Sequence, residues 1–182
     1  MNIAESNLKE LYGVICWNCK WDYNLNLSIN FGQPSLSIVE PRGVKTDNEK
    51  IRKFRQYRHV TLRGEWFLWI LGAYWKLSIK DFGEVTSASQ YKKMAMALAR
   101  LDGQKIIDAS VNPLTSATQL IFDLGAQISI RRTRISSRED IWSLYKPNEY
   151  VFSVRADGKY KDVPGKHADN EKDWAPISQP YK

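Results

Sequence analysis

LNLSINFGQPSLSI, Leu25 to Ile38, alternates apolar and polar residues on both sides of Gly32. Leu25, Leu27, Ile29 and Phe31 recur at period two, the signature of a half-buried strand. Gly32 then predicts a turn, and Leu36-Ser37-Ile38 resumes the alternation, so the stretch reads as a hairpin. The same order returns at TQLIFDLGAQISI, Thr118 to Ile130. There Leu120, Phe122 and Leu124 alternate, Gly125 turns, and Ile128-Ser129-Ile130 resumes. Leu11-Tyr12-Gly13 precedes the first stretch and Leu101-Asp102-Gly103 the second. A charged insert follows each hairpin, and then a tryptophan strand: EWFLWI from Glu65, IWSLYK from Ile141. A shared order of this length predicts two related antiparallel β halves, about residues 8–83 and 101–163, with Trp66 and Trp142 at matching positions.

Each half alone exposes its edges and one apolar face. Packing the halves as a sandwich, or joining them in a barrel-like sheet, buries both faces. A further hairpin is written into YVFSVR and KYKDV, which flank Ala156-Asp157-Gly158, since Asp-Gly is a strong turn signal. One amphipathic helix is expected over 87–102, linking the halves. Ser87 and Gln90 have the spacing of a capping box. Tyr91, Met94, Ala95, Leu98 and Leu101 form one apolar stripe, and Gly103 suits the position after the last turn. A short helix is expected near residues 4–11. The fold class is therefore α+β, mainly β, as one domain over 1–163. The segment 164–182 reads as an extended tail, pinned by Trp174.

Composition narrows the setting. Hydrophobic residues make up 43% of the 182-residue chain, enough for a true core. The longest apolar run, WFLWILGAYW from Trp66 to Trp75, falls short of the roughly 20 residues that span a bilayer. No secretory leader is evident in MNIAESNLKEL. Two cysteines make no disulfide framework. A cytoplasmic protein without a membrane partner is expected. The formal net charge is +7, and it is concentrated. From Glu40 to Arg63 there are eight Lys/Arg against three Asp/Glu, a local +5 that suits anionic partners of several kinds.

The chemistry in the chain is sparse. Cys16 and Cys19 stand in CWNC, but the following KWDYNLNLSI alternates like a strand rather than opening a helix as a redox site does. Thiols three apart on a regular strand point to opposite faces. Zinc needs four ligands, and the only histidines are His59 and His167. The expected reading is two small buried thiols, no metal and no cofactor. Asp81-Phe82-Gly83 is a chance tripeptide, since no glycine-rich phosphate loop accompanies it. Hydrolytic chemistry would fall to carboxylates such as Glu65, Glu84, Asp108 and Asp123. By alternation Asp123 faces away from Phe122 and Leu124, which suits hairpin capping better than catalysis. No catalytic residue is assigned.

At RGEWFLWILGAYWKL, ALARLDGQKI, LIFDLGAQISI, IWSLYKP and VRADGKY the chain resembles a group of small bacterial proteins of unassigned function. They share a W-x-L-W strand, an L-x-G-Q step and a W-x-L-Y strand ending in a D-G turn. The resemblance spans most of Arg63 to Tyr160, and the basic insert from Arg42 to Arg58 departs from it. It implies a bacterial protein with an immunity or defence partner. The expected function is thus non-enzymatic recognition of a protein. Partner-binding residues are expected at Arg42, Lys45, Lys50, Arg52, Lys53, Arg55 and Arg58, with a second cluster at Arg131, Arg132 and Arg134. The alternative is a nucleic-acid-binding protein using the basic insert 42–63. A third reading is a carboxylate-based enzyme in a groove between the halves.

Overall fold

The computed structural model describes the whole chain except residues 23–25, 44, 134–137, 168–169 and 179–182. Helix α1 (Ile3–Lys9) leads into β1 (Cys16–Trp21), β2 (Leu27–Val39), α2 (Glu49–Arg55), β3 (His59–Ile70), β4 (Tyr74–Ile79) and β5 (Gly83–Thr86). Helix α3 (Tyr91–Leu101) follows, then β6 (Ile106–Val111), β7 (Thr118–Phe122), β8 (Ala126–Arg131), β9 (Asp140–Tyr145), β10 (Tyr150–Arg155), β11 (Lys159–Pro164) and the two-residue β12 (Ala175–Pro176). The strands form two antiparallel sheets, ordered β1-β2-β3-β9-β10-β11-β12 and β5-β4-β8-β7-β6. The fold is α+β and mainly β, as the alternation predicts.

Each sheet takes strands from both parts of the chain. The meander β1-β2-β3 lies in the larger sheet, and the chain then crosses at Leu71–Ala73 to place β4 and β5 in the smaller one. After α3 the order repeats with the sheets exchanged: β6-β7-β8 meander in the smaller sheet, and β9-β10 return to the larger. β3 pairs with β9 and β4 with β8, so the two parts meet inside both sheets. The junction is reciprocal. Gly13 N–H donates to Ile106 O at 2.9 Å and Gly103 N–H to Cys16 O at 2.8 Å. Cys19 N–H donates to Asp102 Oδ1 at 2.9 Å and Ala109 N–H to the Tyr12 hydroxyl at 2.7 Å. α3 packs on β1, and α1 packs on β6.

One hydrophobic cluster fills the space between the sheets. Trp75 on β4 and Trp142 on β9 are its largest fully buried side chains, each followed two positions on by a fully buried leucine, Leu77 and Leu144. The buried Trp142 indole N–H donates to Thr118 Oγ1 at 2.9 Å, as a buried polar group requires. In strand order Trp142 therefore matches Trp75 rather than Trp66, whose strand β3 lies in register with Phe31 on one side and pairs β9 on the other.

Local chemistry sets the ends of the elements. Asn2 and Glu5 form a reciprocal capping box on α1, and Glu5 Oε1 also accepts from Val111 N–H at 3.1 Å, tying the helix to β6. α3 starts at Tyr91 without a side-chain cap; Ser87 instead lies buried in the turn from β5, its N–H donating to Trp75 O. Its buried face is Met94, Ala97, Leu98 and Leu101, while Tyr91 and Ala95 of the expected stripe are exposed. None of the described helices is long and apolar enough to cross a membrane.

The two cysteines depart from the strand expectation. β1 bulges between Trp17 and Lys20, where Asn18 takes φ of +52°. A bulge adds one residue and breaks strict alternation, so Cys16 and Cys19 both turn into the core. The neighbouring Cys16 thiol and burial push the Cys19 thiol well above its usual range.

Beyond β11 the chain returns to the body as far as Ile177, which is fully buried, with Trp174 pinned as expected. Arg155 is the clamp. Its guanidinium donates to Asp157 at 2.9 and 2.7 Å and to Glu171 at 2.7 and 3.0 Å, and lies 4.6 Å from the Trp174 ring centroid.

Candidate docking arm

β2 and β3 continue as a pair well past the body. Their register runs from Leu27 opposite Ile70 to Val39 opposite His59. β1 covers β2 only as far as Phe31, and β9 covers β3 only from Phe67 onward. The rest is a two-stranded ribbon with α2 at its tip, and none of its described residues from 33 to 65 is buried.

Gly32 marks the root. It is not the hairpin turn that its sequence setting predicts. β2 passes through it as one strand, with a bulge between Phe31 and Pro34 and φ of +76° at Gly32. The backbone groups freed by the bulge find side chains: Gln33 N–H donates to Glu65 Oε2 at 3.0 Å, and Gly64 N–H to Asn30 Oδ1 at 2.9 Å. A Cβ on Gly64 would lie 2.5 Å from Phe31 O, so only glycine allows this approach. In the other part of the chain, Gly125 does make the expected turn: its N–H donates to Phe122 O, and β7 and β8 close through Asp123–Gly125.

Past the bulge the core-facing side of β2 and β3 continues outward, and among the described residues nothing buries it. Leu36 sits opposite Leu62 and Ile38 opposite Val60. These four aliphatic residues are 53–64% exposed. At the root the face opens into a cleft of about 620 Å³ lined by Val14, Ile15, Trp17, Pro34 and Leu62, with Lys105 at its edge. At the tip Ile51, Phe54 and Tyr57 are also exposed. The Phe54 and His59 rings stack with centroids 3.7 Å apart, folding α2 back on β3.

The predicted basic residues gather at the tip of the arm, on and beside α2. Lys50, Arg52, Lys53 and Arg55 lie on α2; Arg42 and Lys45 precede it, and Arg58 follows. All are exposed. Lys53 pairs with Glu49 at 2.8 Å and Arg58 with Glu40 at 3.0 Å. Arg42, Lys45, Lys50, Arg52 and Arg55 make no ion pair among the described residues. Arg131 and Arg132 are not brought to this cluster. Arg131 ends β8 opposite Tyr74, over whose ring it lies at 5.5 Å. Tyr74 begins β4, just past the body end of β3 at Ile70, and that end lies roughly 36 Å along the strand from His59 at about 3.3 Å per residue. Arg134 lies outside the described residues.

The candidate carboxylates are dispersed. Glu65 supports the bulge. Glu84 on β5 pairs with Lys76 at 2.7 Å, which holds its pKa below the usual carboxylate value. Asp108 is on β6, at the opposite edge of that sheet from β5. Asp123 accepts from Lys105 N–H at 2.9 Å, and its own N–H donates to Lys105 O, so it ties the β7–β8 turn to the start of β6.

Sequence reasoning placed the charge but missed the aliphatic face. L-S-I and V-T-L flank the charged insert in mirror order, a signal for two strands that pair around it, though not for whether anything covers their aliphatic face. No protein-family model, no curated protein and no solved structure matches the chain.

Proposed function

We propose that this chain is a non-enzymatic binding protein whose β2–β3 arm docks an acidic protein partner. The observation that carries the reading is the Leu36, Ile38, Val60, Leu62 face, a continuation of the core face left uncovered. Four aliphatic side chains this exposed, on an arm whose tip carries a cluster of cations, are the anatomy of a docking patch. The root cleft favours a protein over a lipid surface, because a bilayer reaches the tip and not a concavity beside the body. The aliphatic character favours a protein over a nucleic acid, whose bases stack on aromatic platforms. The local +5 selects an acidic partner and speeds its approach.

The repeated element order supports an internal duplication in which one hairpin closed through a short turn and the other grew the arm. The resemblance to small bacterial proteins supports an immunity or defence role for the pairing.

The test uses the parent, a Leu36→Asp/Leu62→Asp variant and an Arg52→Glu/Lys53→Glu/Arg55→Glu variant as baits in the native host. The reading expects an acidic protein held by the parent and lost by both variants, with melting temperatures unchanged. Retention of the same proteins by all three baits overturns it. So does a parent that shifts mixed DNA or RNA at near-physiological salt and holds no protein after nuclease treatment.

A further inference from the structure

We infer that the partner engages the arm by adding an extended strand to the free edge of β3, and that this strand alternates apolar and acidic residues. The inference rests on the arm-docking reading and names its mode. From His59 to Trp66, β3 has β2 on one side and no strand on the other among the described residues. β9 occupies that side only from Phe67 to Ile70, so an incoming strand would run in line with β9 and meet its end at Tyr145. A cleft of about 390 Å³ lies at this junction, lined by Arg63, Gly64, Phe67, Tyr145 and Lys146 among others. It gives the end of such a strand a seat.

The edge of β2 is a poorer template. Gly32 N–H already donates to Ile15 O at 3.1 Å, and Trp17 Nε1 donates to Gly32 O at 2.8 Å, so β1 closes its root. Pro34 then removes a donor, a common guard on edge strands. HVTLRGE on β3, His59 to Glu65, has no proline and is rich in strand formers. An unprotected edge of this kind accepts strands by main-chain pairing, with side chains setting specificity.

The pattern of the incoming strand follows from cross-strand pairing. Val60 and Leu62 lie on the aliphatic face, so residues opposite them are apolar. Thr61 and Arg63 lie on the other face, where the Arg63 guanidinium sits 6.0 Å from the Phe67 ring centroid, so residues opposite them are acidic. Two copies of the chain pairing edge to edge would bring together two arms of local charge +5, which disfavours self-association.

The experiment is backbone amide exchange on the full chain with three blocked heptapeptides: alternating valine and glutamate, alternating valine and lysine, and the valine–glutamate composition rearranged into two blocks. The alternating valine–glutamate peptide is expected to slow exchange at outward-facing amides of 59–65 at least tenfold. It should leave 33–39 unchanged, and the other two peptides should protect neither edge. Arg63→Glu should reverse the preference towards the lysine peptide. Equal protection by both alternating peptides, protection of 33–39 instead, or no protection by any peptide overturns the inference. Protection at 59–65 that grows with protein concentration alone also overturns it, in favour of a second copy. If the native partner needs Leu36 and Leu62 yet leaves 59–65 unprotected in the complex, strand addition fails while the arm-docking reading stands.

Discussion

Replacing residues 32–65 with Asp-Leu-Gly, the tripeptide that closes β7 and β8, should remove the arm and leave the body folded. Phe31 and Trp66 face each other in register, so the shortened connection has a ready-made hairpin to close. The magnitude follows from burial. No described residue from 33 to 65 is buried, so no core area is lost, and surface changes away from special features stay within about 0.5 kcal/mol each. An opposing gain comes from chain entropy. Shortening a connection roughly elevenfold favours closure by about 2 kcal/mol on the (3/2)RT ln n rule, if the arm acts as a flexible loop. The ribbon's own pairing offsets part of that. The shortened protein should therefore melt between the parent's temperature and about 8 °C above it, at 2–4 °C per kcal/mol for a chain of this size. Differential scanning calorimetry checks the value. A loss of more than about 3 kcal/mol, or a product without a cooperative transition, would refute the claim that the arm is an appendage.

Reversing Arg52, Lys53 and Arg55 to glutamate should shift the melting temperature by no more than about 2 °C and slow association with an acidic partner at low salt, as stopped-flow mixing can show. Arg155→Leu should lower stability in denaturant unfolding, because Asp157 and Glu171 lose their shared cation and Trp174 loses the guanidinium over its ring. The Arg155 guanidinium depresses the pKa of Glu171 below its ordinary 4.5. A carboxylate depressed on folding stabilises fully above its unfolded value, and that stabilisation fades as pH falls through the lower folded value. Glu171→Gln should thus lower the melting temperature near neutrality, where the ionised carboxylate contributes in full, and flatten the acid limb below about pH 4.5, so that the two proteins converge at low pH. With Cys19 held as the neutral thiol and both sulfurs in the core, a thiol reagent at pH 8 should label the native protein slowly and the denatured protein at two sites. The Cys16→Ser/Cys19→Ser variant should fold and bind no less zinc than the parent.

How far the sequence carried this structure depends on the kind of signal. Period-two alternation found the strands around Phe31 and Phe122, since burial on one face alone fixes that pattern. It could not tell a glycine that reverses the chain, Gly125, from one that bulges it, Gly32. That distinction rests on Glu65 and Asn30, distant in sequence, taking up the freed amides. The bulge at Asn18 was hidden for the same reason, and with it the shared facing of Cys16 and Cys19. Trp66 and Trp142 looked alike because both open apolar runs. Depth between the sheets decides which tryptophan corresponds, and no local window holds that information. The cationic arm was legible as composition, but the uncovered face beside it was not, because an aliphatic strand reads the same whether or not something packs against it.

The exchange of strands between the sheets has a consequence for how the chain reaches its native state. β3 waits for β9, β4 waits for β8, and α1 and β1 dock on residues near 101–111. The first five strands made during synthesis therefore have no complete sheet to join, and the core closes only after Tyr145 has left the ribosome. Contacts this distant in sequence slow folding by orders of magnitude relative to local ones. Until then the aliphatic strands of the first part are open to the solvent. The nascent protein should lean on holdase chaperones for longer than a meander of equal length whose hairpins close one after another.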